Sequence, residues 1–243
     1  MITTGFSERE YREDAAPTGL VSFRVTVDQT DLWIAALSEL TQRAYESICG
    51  HRWILEEYIS RNPDFSGSLE PLSAQGPRDD LVGKMIDAGK QVGIGPMAAV
   101  AGTIAEAVAG DLVPESSTVI VENGGDLYLV GDEDRIIGIW AGGSPLSGKL
   151  GIKVNPGKGL AVCTSSGTVG PSLSFGRADA AAVVSASGAL ADAAATDLGN
   201  RVSSKEDIES ALEQTIAIDG VLGALVVIGD AVGAMGEVEL VKI

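Results

Sequence analysis

The sequence is poor in several residue types that often carry chemistry. Its two cysteines, Cys49 and Cys163, have no paired spacing within 243 residues, which excludes a disulfide framework and predicts a reducing compartment. His51 is the only histidine, and aromatic residues make up only 5% of the chain. The low aromatic share favours close packing of small residues and is compatible with a homodimer.

Basic residues are also scarce. Lys and Arg total 17 against 34 Asp and Glu, so the formal net charge is −17. This balance excludes the positive surface that binds nucleic acid or an anionic membrane. An anionic ligand would have to be held by backbone amides, by a local arginine or by a metal ion.

No long apolar run is present. The most apolar stretch, "GVLGALVVIGDAVGAMGEVELV", is interrupted by glycines, Asp230 and Glu237, which argues against a membrane span. The first residues are polar and acidic, which does not match a secretion signal. With 45% hydrophobic and 21% charged residues, we predict a globular cytoplasmic protein with no membrane partner. Residues 1–16 are predicted to be a flexible arm.

Apolar periodicity and turn signals predict the order strand–strand–helices–strand–strand, and this order occurs twice. We therefore predict an α+β fold in which antiparallel sheets are backed by helices. One domain, 17–243, would contain two pseudo-repeated halves at about 17–142 and 150–243. A single domain without internal symmetry is the alternative.

A helix made almost entirely of alanine, "GALADAAATDLGN", is the first candidate site. Asp192 and Thr196 are four residues apart and therefore share one helix face, where both oxygens could bind one Mg²⁺. The alternative is a closely packed helix with a solvated aspartate and a threonine bonded to its own backbone. Ser187 is predicted to cap the helix, and Gly199-Asn200 to end it.

The turn "ENGGD" between two predicted strands is the second candidate. Asn-Gly is a strong hairpin signal, so the turn has a purely structural explanation. A functional interpretation is that the glycines admit a ligand close to the backbone while the flanking side chains bind its polar edges. The candidate ligand-binding residues are Glu122, Asn123, Gly124, Gly125 and Asp126.

The segment "CTSSGTVG" follows a predicted strand and concentrates hydroxyl groups beside a glycine. Such a turn offers donors to a phosphate or to a flavin ring edge. The candidate binding residues are Thr164, Ser165, Ser166 and Gly167. Catalysis by a serine or cysteine would need a base, and His51 is remote in sequence, so we predict that His51 is structural.

The segment "GIGPMA" matches a dinucleotide-binding pattern, but a helix precedes it where that pattern requires a strand. What remains is that Gly95 leads into a helix N-terminus, where amides could bind a phosphate. A plain helix–helix turn explains the same residues, with Pro96 in the first helical turn.

Taken together, "ENGGD", "CTSSGTVG", "FGRADA" and "ADAAAT" resemble the ApbE superfamily of FAD-dependent flavin transferases, and in particular an uncharacterised cytoplasmic branch of it. The resemblance implies a duplicated T-fold-like architecture, FAD or FMN as the flavin, and Mg²⁺ bound by Asp192 and Thr196. It implies transfer of the FMN half of FAD to a threonine or serine of an acceptor protein. The branch is also associated with sulfur assimilation into homocysteine, which adds a sulfur-transfer partner.

The chain departs from the transferases at two motifs. They carry a His-x-x-Asp-Pro segment where this sequence has "GPSLSFGRAD", and a Lys-Gly pair where it has "PMAAVAG". Three hypotheses follow: an enzyme that transfers or hydrolyses the FMN moiety of FAD or a related diphosphate, a flavin- or nucleotide-binding accessory protein without turnover, and a scaffold with structural glycine turns.

Overall fold

The computed structural model describes residues 17–73, 79–166 and 176–243, which form five α-helices and eleven β-strands. The helices are α1 (Thr41–Arg61), α2 (Asp80–Val92), α3 (Val100–Leu112), α4 (Gly188–Arg201) and α5 (Ile208–Ile216). The strands are β1 (Val21–Val27), β2 (Thr30–Ala36), β3 (Val119–Asn123), β4 (Asp126–Gly131), β5 (Arg135–Gly138), β6 (Leu150–Val154), β7 (Gly157–Ser165), β8 (Ala180–Ser185), β9 (Val221–Ile228), β10 (Ala231–Gly236) and β11 (Glu239–Lys242). The arm predicted at 1–16 lies outside the described residues.

The larger sheet contains eight strands in the order β1-β2-β3-β4-β7-β8-β9-β10, and every neighbouring pair is antiparallel. The first four strands precede residue 132 in the sequence, and the other four follow residue 156. The two sets join where β4 pairs with β7, with Leu127 opposite Val162. The predicted α+β fold of antiparallel sheets backed by helices is confirmed, whereas the division near residues 142 and 150 remains a prediction.

A smaller sheet, in the order β11-β6-β5, covers the face of the larger sheet that the helices do not cover. Apolar side chains such as Ile137 and Ile152 of the small sheet pack there against Leu129 and Val184. The sequence pattern does not predict β6, and it indicates β10 only as part of a glycine turn. Glycine and alanine occupy four of the six positions of β10 and weaken its strand pattern.

The helices pack on the opposite face of the larger sheet and form the main core. Helix α4 lies inside this layer, against β7 and β8 on one side and α2 and α3 on the other. It is buried on nearly its whole circumference, and a helix surrounded in this way has no need of a polar face. Alanine lets neighbouring backbones approach closely, which explains the unusual composition of this helix.

Within the described ranges, no single helix is long and apolar enough to cross a membrane. Helices α2 and α3 have the length and apolar composition of a membrane span only when they are counted together through Pro96–Ala99, and that pair is bent by 111°.

Candidate functional site

Helix α4 begins as predicted, because the Ser187 side chain accepts a hydrogen bond from the Leu190 amide at 3.3 Å. It ends at Arg201 and not at the predicted Gly199-Asn200. Gly199 lies inside the helix, and its carbonyl oxygen would be only 1.8 Å from a Cβ placed on Gly176. Gly199 is therefore part of a close backbone approach and does not terminate the helix.

Helices α3 and α4 cross at two glycines. A Cβ on Gly102 would lie 2.3 Å from the Gly188 carbonyl oxygen, and a Cβ on Gly188 would lie 2.3 Å from the Gly102 carbonyl oxygen. Real Cβ atoms do not approach backbone oxygens so closely, so only glycine fits at either position. The crossing brings the beginnings of the two helices into contact.

Asp192 lies at this crossing and is 9% exposed. Its Oδ2 accepts the Gly102 amide at 2.8 Å, and the Ala101 amide also donates to this carboxylate. These amides belong to the first turn of α3, where they have no partner within their own helix. Burial raises the pKa of Asp192 from 3.8 to about 7, although the two amide hydrogen bonds oppose that rise.

The Gly-Gly turn is a tight hairpin between β3 and β4, as predicted, with Asn123 paired to Asp126. Gly124 and Gly125 have φ values of 71° and 109°, which a residue with a side chain adopts only under strain. The Glu122 carboxylate accepts the Gly125 amide at 2.8 Å, and this bond fixes the turn. The Asn123 side chain donates to the Ala101 carbonyl at 3.1 Å and joins the turn to α3.

Asp126 joins the turn to strand β7. Its Oδ1 accepts the Thr164 amide at 3.0 Å, and the Thr164 hydroxyl donates to the Gly125 carbonyl at 2.8 Å. Asp126 is 7% exposed. Burial raises its pKa well above the usual range, and the negative charge of Asp192 adds to the rise. The two carboxylates are therefore close enough to repel each other inside the protein.

The three predicted segments thus converge, because Asp192 and Asn123 both bond the start of α3 and Asp126 bonds Thr164. We name Asp126, Asp192, the 123–126 turn and Thr164 the carboxylate site. Within the described residues, no Lys or Arg is among the groups that shift the pKa of Asp126 or Asp192. Among the residues that the structure describes, no basic side chain therefore offsets the charge of Asp126 or Asp192.

Other predicted residues lie at or beyond the edge of the carboxylate site. Thr196 is half-buried one turn after Asp192. Ser165 ends β7 and lies against Gly199, and Ser166 follows it, half-buried. Gly167 lies outside the described residues.

The structure gives Gly95 a packing role. Its amide donates to the Leu69 carbonyl at 2.8 Å, and a Cβ there would lie 1.8 Å from the Ser68 carbonyl oxygen. The preceding amides of Gly93 and Ile94 both donate to the Gly89 carbonyl. These amides are engaged within the chain, so the segment forms a helix–helix turn, with Pro96 in the first turn as predicted.

His51 and Cys163 belong to different environments. His51 Nε2 lies 3.0 Å from Asp111 Oδ2, which also accepts the Ser47 hydroxyl at 2.6 Å. Cys163 is buried on β7, and burial, followed by the charge of Asp126, raises the pKa of its thiol well above the usual value. A buried thiol whose pKa is raised in this way stays neutral and is a poor nucleophile.

The described residues contain no cluster of three or more His, Cys, Asp or Glu side chains that could hold a metal. Asp126 and Asp192 nevertheless fit a magnesium site of the kind that uses one or two carboxylates and takes its remaining ligands from water and substrate phosphates. Their mutual repulsion favours a cation between or beside them. The donor set therefore suits Mg²⁺ together with a phosphorylated ligand.

Glu106 and Lys84, which the sequence motifs do not indicate, adjoin this site. Glu106 Oε2 accepts the Gly188 amide at 2.7 Å, and Lys84 Nζ lies 3.0 Å from Glu106 Oε1. Glu106 thus holds the start of α4 as Asp192 holds the start of α3. A sequence signal for this pairing existed, since both acidic residues stand four positions after a crossing glycine.

Two solved structures with the same fold have been described as flavin transferases. Apo flavinyl transferase ApbE from Pseudomonas stutzeri aligns with a TM-score of 0.57 at 14% identity, covering 89% of this chain and 94% of its own. Flavin transferase ApbE from Vibrio cholerae aligns with a TM-score of 0.52 at 15% identity, covering 90% and 97%. The fold is therefore that of the ApbE proteins.

The chain belongs to the family described as "AbpE bacteria", whose model matches residues 13–242. A UPF0280 protein of Methanosarcina acetivorans is 46% identical over 200 residues, which cover 81% of this chain and 79% of the relative. A UPF0280 protein of Methanothermobacter thermautotrophicus is 41% identical over 197 residues, covering 79% and 76%. The ApbE resemblance inferred from the motifs is confirmed.

Proposed function

We propose that the protein binds FAD, or a related diphosphate ligand, together with Mg²⁺ at the carboxylate site. The observation that carries this proposal is the pair of buried carboxylates, Asp126 and Asp192, for which the described residues supply no basic partner. Burying two negative charges side by side is costly unless a proton or cation neutralises them. A metal-bound diphosphate supplies that cation.

Asp192 would bind the ion, and Asp126 and Thr196 would be available as additional oxygen ligands. A bound Mg²⁺ would polarise the diphosphate and stabilise negative charge on its oxygens. The remaining work falls to the chain. Glu122 and Asn123 fix the turn, and Gly124 and Gly125 let a ligand approach its backbone.

The hydroxyls of Thr164, Ser165 and Ser166 add polar groups beside that turn. Thr164 already donates to Gly125, so it holds the turn and β7 together. Ser165 and Ser166 are half-buried at the end of β7 and are the better placed to contact a ligand's polar atoms. Gly167 continues the same motif in the sequence.

Whether the ligand is turned over separates two functions. The first is transfer or hydrolysis of the FMN moiety, with a protein acceptor in the case of transfer. The second is a flavin-binding accessory role without turnover, in which a sulfur-transfer partner in homocysteine formation would use the bound ligand. The position of the only histidine favours the accessory role. His51 pairs with Asp111, so no imidazole is left to act as a base at the carboxylate site.

Binding is tested by titrating FAD fluorescence in the presence of millimolar Mg²⁺ and again with EDTA. The informative variant is Asp192→Asn, and the matched control is Asp197→Asn on the same helix, since both aspartates are 9% exposed. We expect Asp192→Asn to weaken Mg²⁺-dependent FAD binding more than about tenfold, which is about 1.4 kcal/mol. The control should bind as the wild type does.

Product analysis then separates the two functions. Chromatography of FAD incubated with protein and Mg²⁺ would reveal FMN and AMP if the ligand is cleaved. Binding without products would favour the accessory role. The absence of any saturable FAD signal, with or without Mg²⁺, would contradict the proposal as a whole.

A further inference from the structure

Helices α3 and α4 carry the same sequence pattern. Residues 102–112 read "GTIAEAVAGDL" and residues 188–198 read "GALADAAATDL". The two segments share, at equivalent positions, a glycine, an alanine, an acidic residue, two further alanines and the final Asp-Leu. Glu106 is therefore the first-half counterpart of Asp192.

The contacts at the crossing are reciprocal in the same way. Asp192 accepts the amide of Gly102 at 2.8 Å, and Glu106 accepts the amide of Gly188 at 2.7 Å. Each acidic residue thus binds the start of the helix to which it does not belong. The two helices are related by a local pseudo-symmetry in both sequence and hydrogen bonding.

The two acidic residues differ in what balances their charge. Glu106, whose side chain is 16% exposed, contacts Lys84 Nζ at 3.0 Å, and the same ammonium lies 3.1 Å from Asp80. Lys84 is thus held between two carboxylates. Asp192 instead adjoins a second carboxylate, Asp126, and no Lys or Arg among the described residues perturbs that pair.

We propose that Lys84 is a built-in counter-ion that closes the carboxylates of Glu106, the counterpart of Asp192, and Asp80 to metal. The carboxylate site around Asp192 then takes its cation from solution. The number of metal ions expected in the wild type rests on the proposed function. The expected effect of removing Lys84 does not. Replacing Lys84 by a neutral residue leaves Glu106 and Asp80 as two carboxylates with an open cation position between them.

The test is equilibrium dialysis of the full-length protein against Mn²⁺ alone, as a spectroscopically visible substitute for Mg²⁺. Wild-type protein should bind one Mn²⁺ per chain, and Lys84→Met should bind two. The additional site should be weak, with a Kd on the order of 10⁻⁴–10⁻³ M, the range of the weakest Ca²⁺ sites in proteins. Lys84→Arg, which keeps a cation at this position, should remain at one.

A double variant, Lys84→Met with Asp80→Asn, removes one of the two carboxylates and should lose the additional ion. Lys84→Gln serves as a second neutral variant if Lys84→Met fails to fold by circular dichroism. Folded Lys84→Met and Lys84→Gln proteins that bind no more Mn²⁺ than the wild type would overturn the inference.

The two proposals fail in distinguishable ways. No bound Mn²⁺ in the wild type and one in Lys84→Met would remove magnesium from the proposed function and leave the role of Lys84 intact. One bound Mn²⁺ in both proteins would support the site at Asp192 and refute the counter-ion.

Discussion

Neutralising Asp192 should make the stability of the metal-free protein less dependent on pH. The perturbation is Asp192→Asn, which keeps a side-chain oxygen for the α3 amides but cannot ionise. In the wild type, burial raises the pKa of this carboxyl from 3.8 to about 7. The native state therefore binds the Asp192 proton more tightly than the unfolded chain does.

The sign and size of the effect follow from that difference. Below about pH 4 the carboxyl is protonated in both states and costs nothing. As the pH rises to about 7, the unfolded chain ionises first, and the native state loses stability until the cost reaches about 4 kcal/mol. Of this, about 2–3 kcal/mol falls between pH 5 and pH 8. Relief of the repulsion on Asp126 acts in the same direction.

The assay is urea unfolding at pH 5 and pH 8 in the presence of EDTA. The free energy of unfolding of Asp192→Asn, relative to the wild type, should rise by about 2–3 kcal/mol between the two pH values. In thermal melts this corresponds to a relative shift of about 5–10 °C. Taking the difference between proteins cancels other titrating groups.

Asp197→Asn is again the matched control, since Asp197 is equally buried on the same helix but pairs with Arg201. The reasoning is refuted if the difference between Asp192→Asn and the wild type changes no more with pH than the difference for this control. In that case burial would not destabilise the ionised form of Asp192 as the structure indicates.

The remaining predictions concern ligand binding and backbone approach. Millimolar Mg²⁺ should raise the melting temperature of the wild type at pH 8 but not that of Asp192→Asn, because an ion specific for the native state stabilises it. Gly102→Ala should lower the free energy of unfolding by about 3 kcal/mol or more in urea, since its Cβ would meet the Gly188 carbonyl oxygen at 2.3 Å. Gly110→Ala on the same helix is the control, and it should be neutral or stabilising because its Cβ meets nothing within 4 Å. Gly125→Ala should weaken FAD binding and lower stability, because φ is 109° and the Thr164 hydroxyl lies 2.9 Å from the added atom; unchanged FAD affinity would exclude the turn from the binding site. Ser187→Ala should lower the free energy of unfolding by about 1 kcal/mol through loss of the α4 cap, and a change below the error of the measurement would count against that cap.

The fold class and several local features could be predicted from the sequence, because they depend on short-range patterns. Short apolar runs mark β2 and β9, the Asn-Gly dipeptide marks the β3–β4 turn, and Ser187 marks the start of α4. Strand β10 could not be identified in this way, because its glycines weaken the pattern although it pairs with the adjacent β9. Strand β6 could not be identified either, because it pairs with β11 from the far end of the chain. The second sheet, which joins the C-terminal β11 to β6 and β5, is likewise a tertiary feature.

The candidate site was predicted in part. The sequence indicates Asp192, the Gly-Gly turn and Thr164 as candidate site residues, and the structure brings them together. It could not indicate that Asp192 would bind the α3 amides or that Asp126 would adjoin it, since those contacts depend on the packing of α3 on α4. Gly95 shows the converse, because an amide that looks available in the sequence donates to a carbonyl in the fold.

The reciprocal bonds between α3 and α4 also bear on how the chain folds. Neither helix can satisfy these amides at its own beginning, because the acceptors, Asp192 and Glu106, each lie on the other helix. Fragments divided between β5 and β6 would each keep one of the two helices and leave its first amides without that acceptor. Such fragments should regain their structure only when they are mixed.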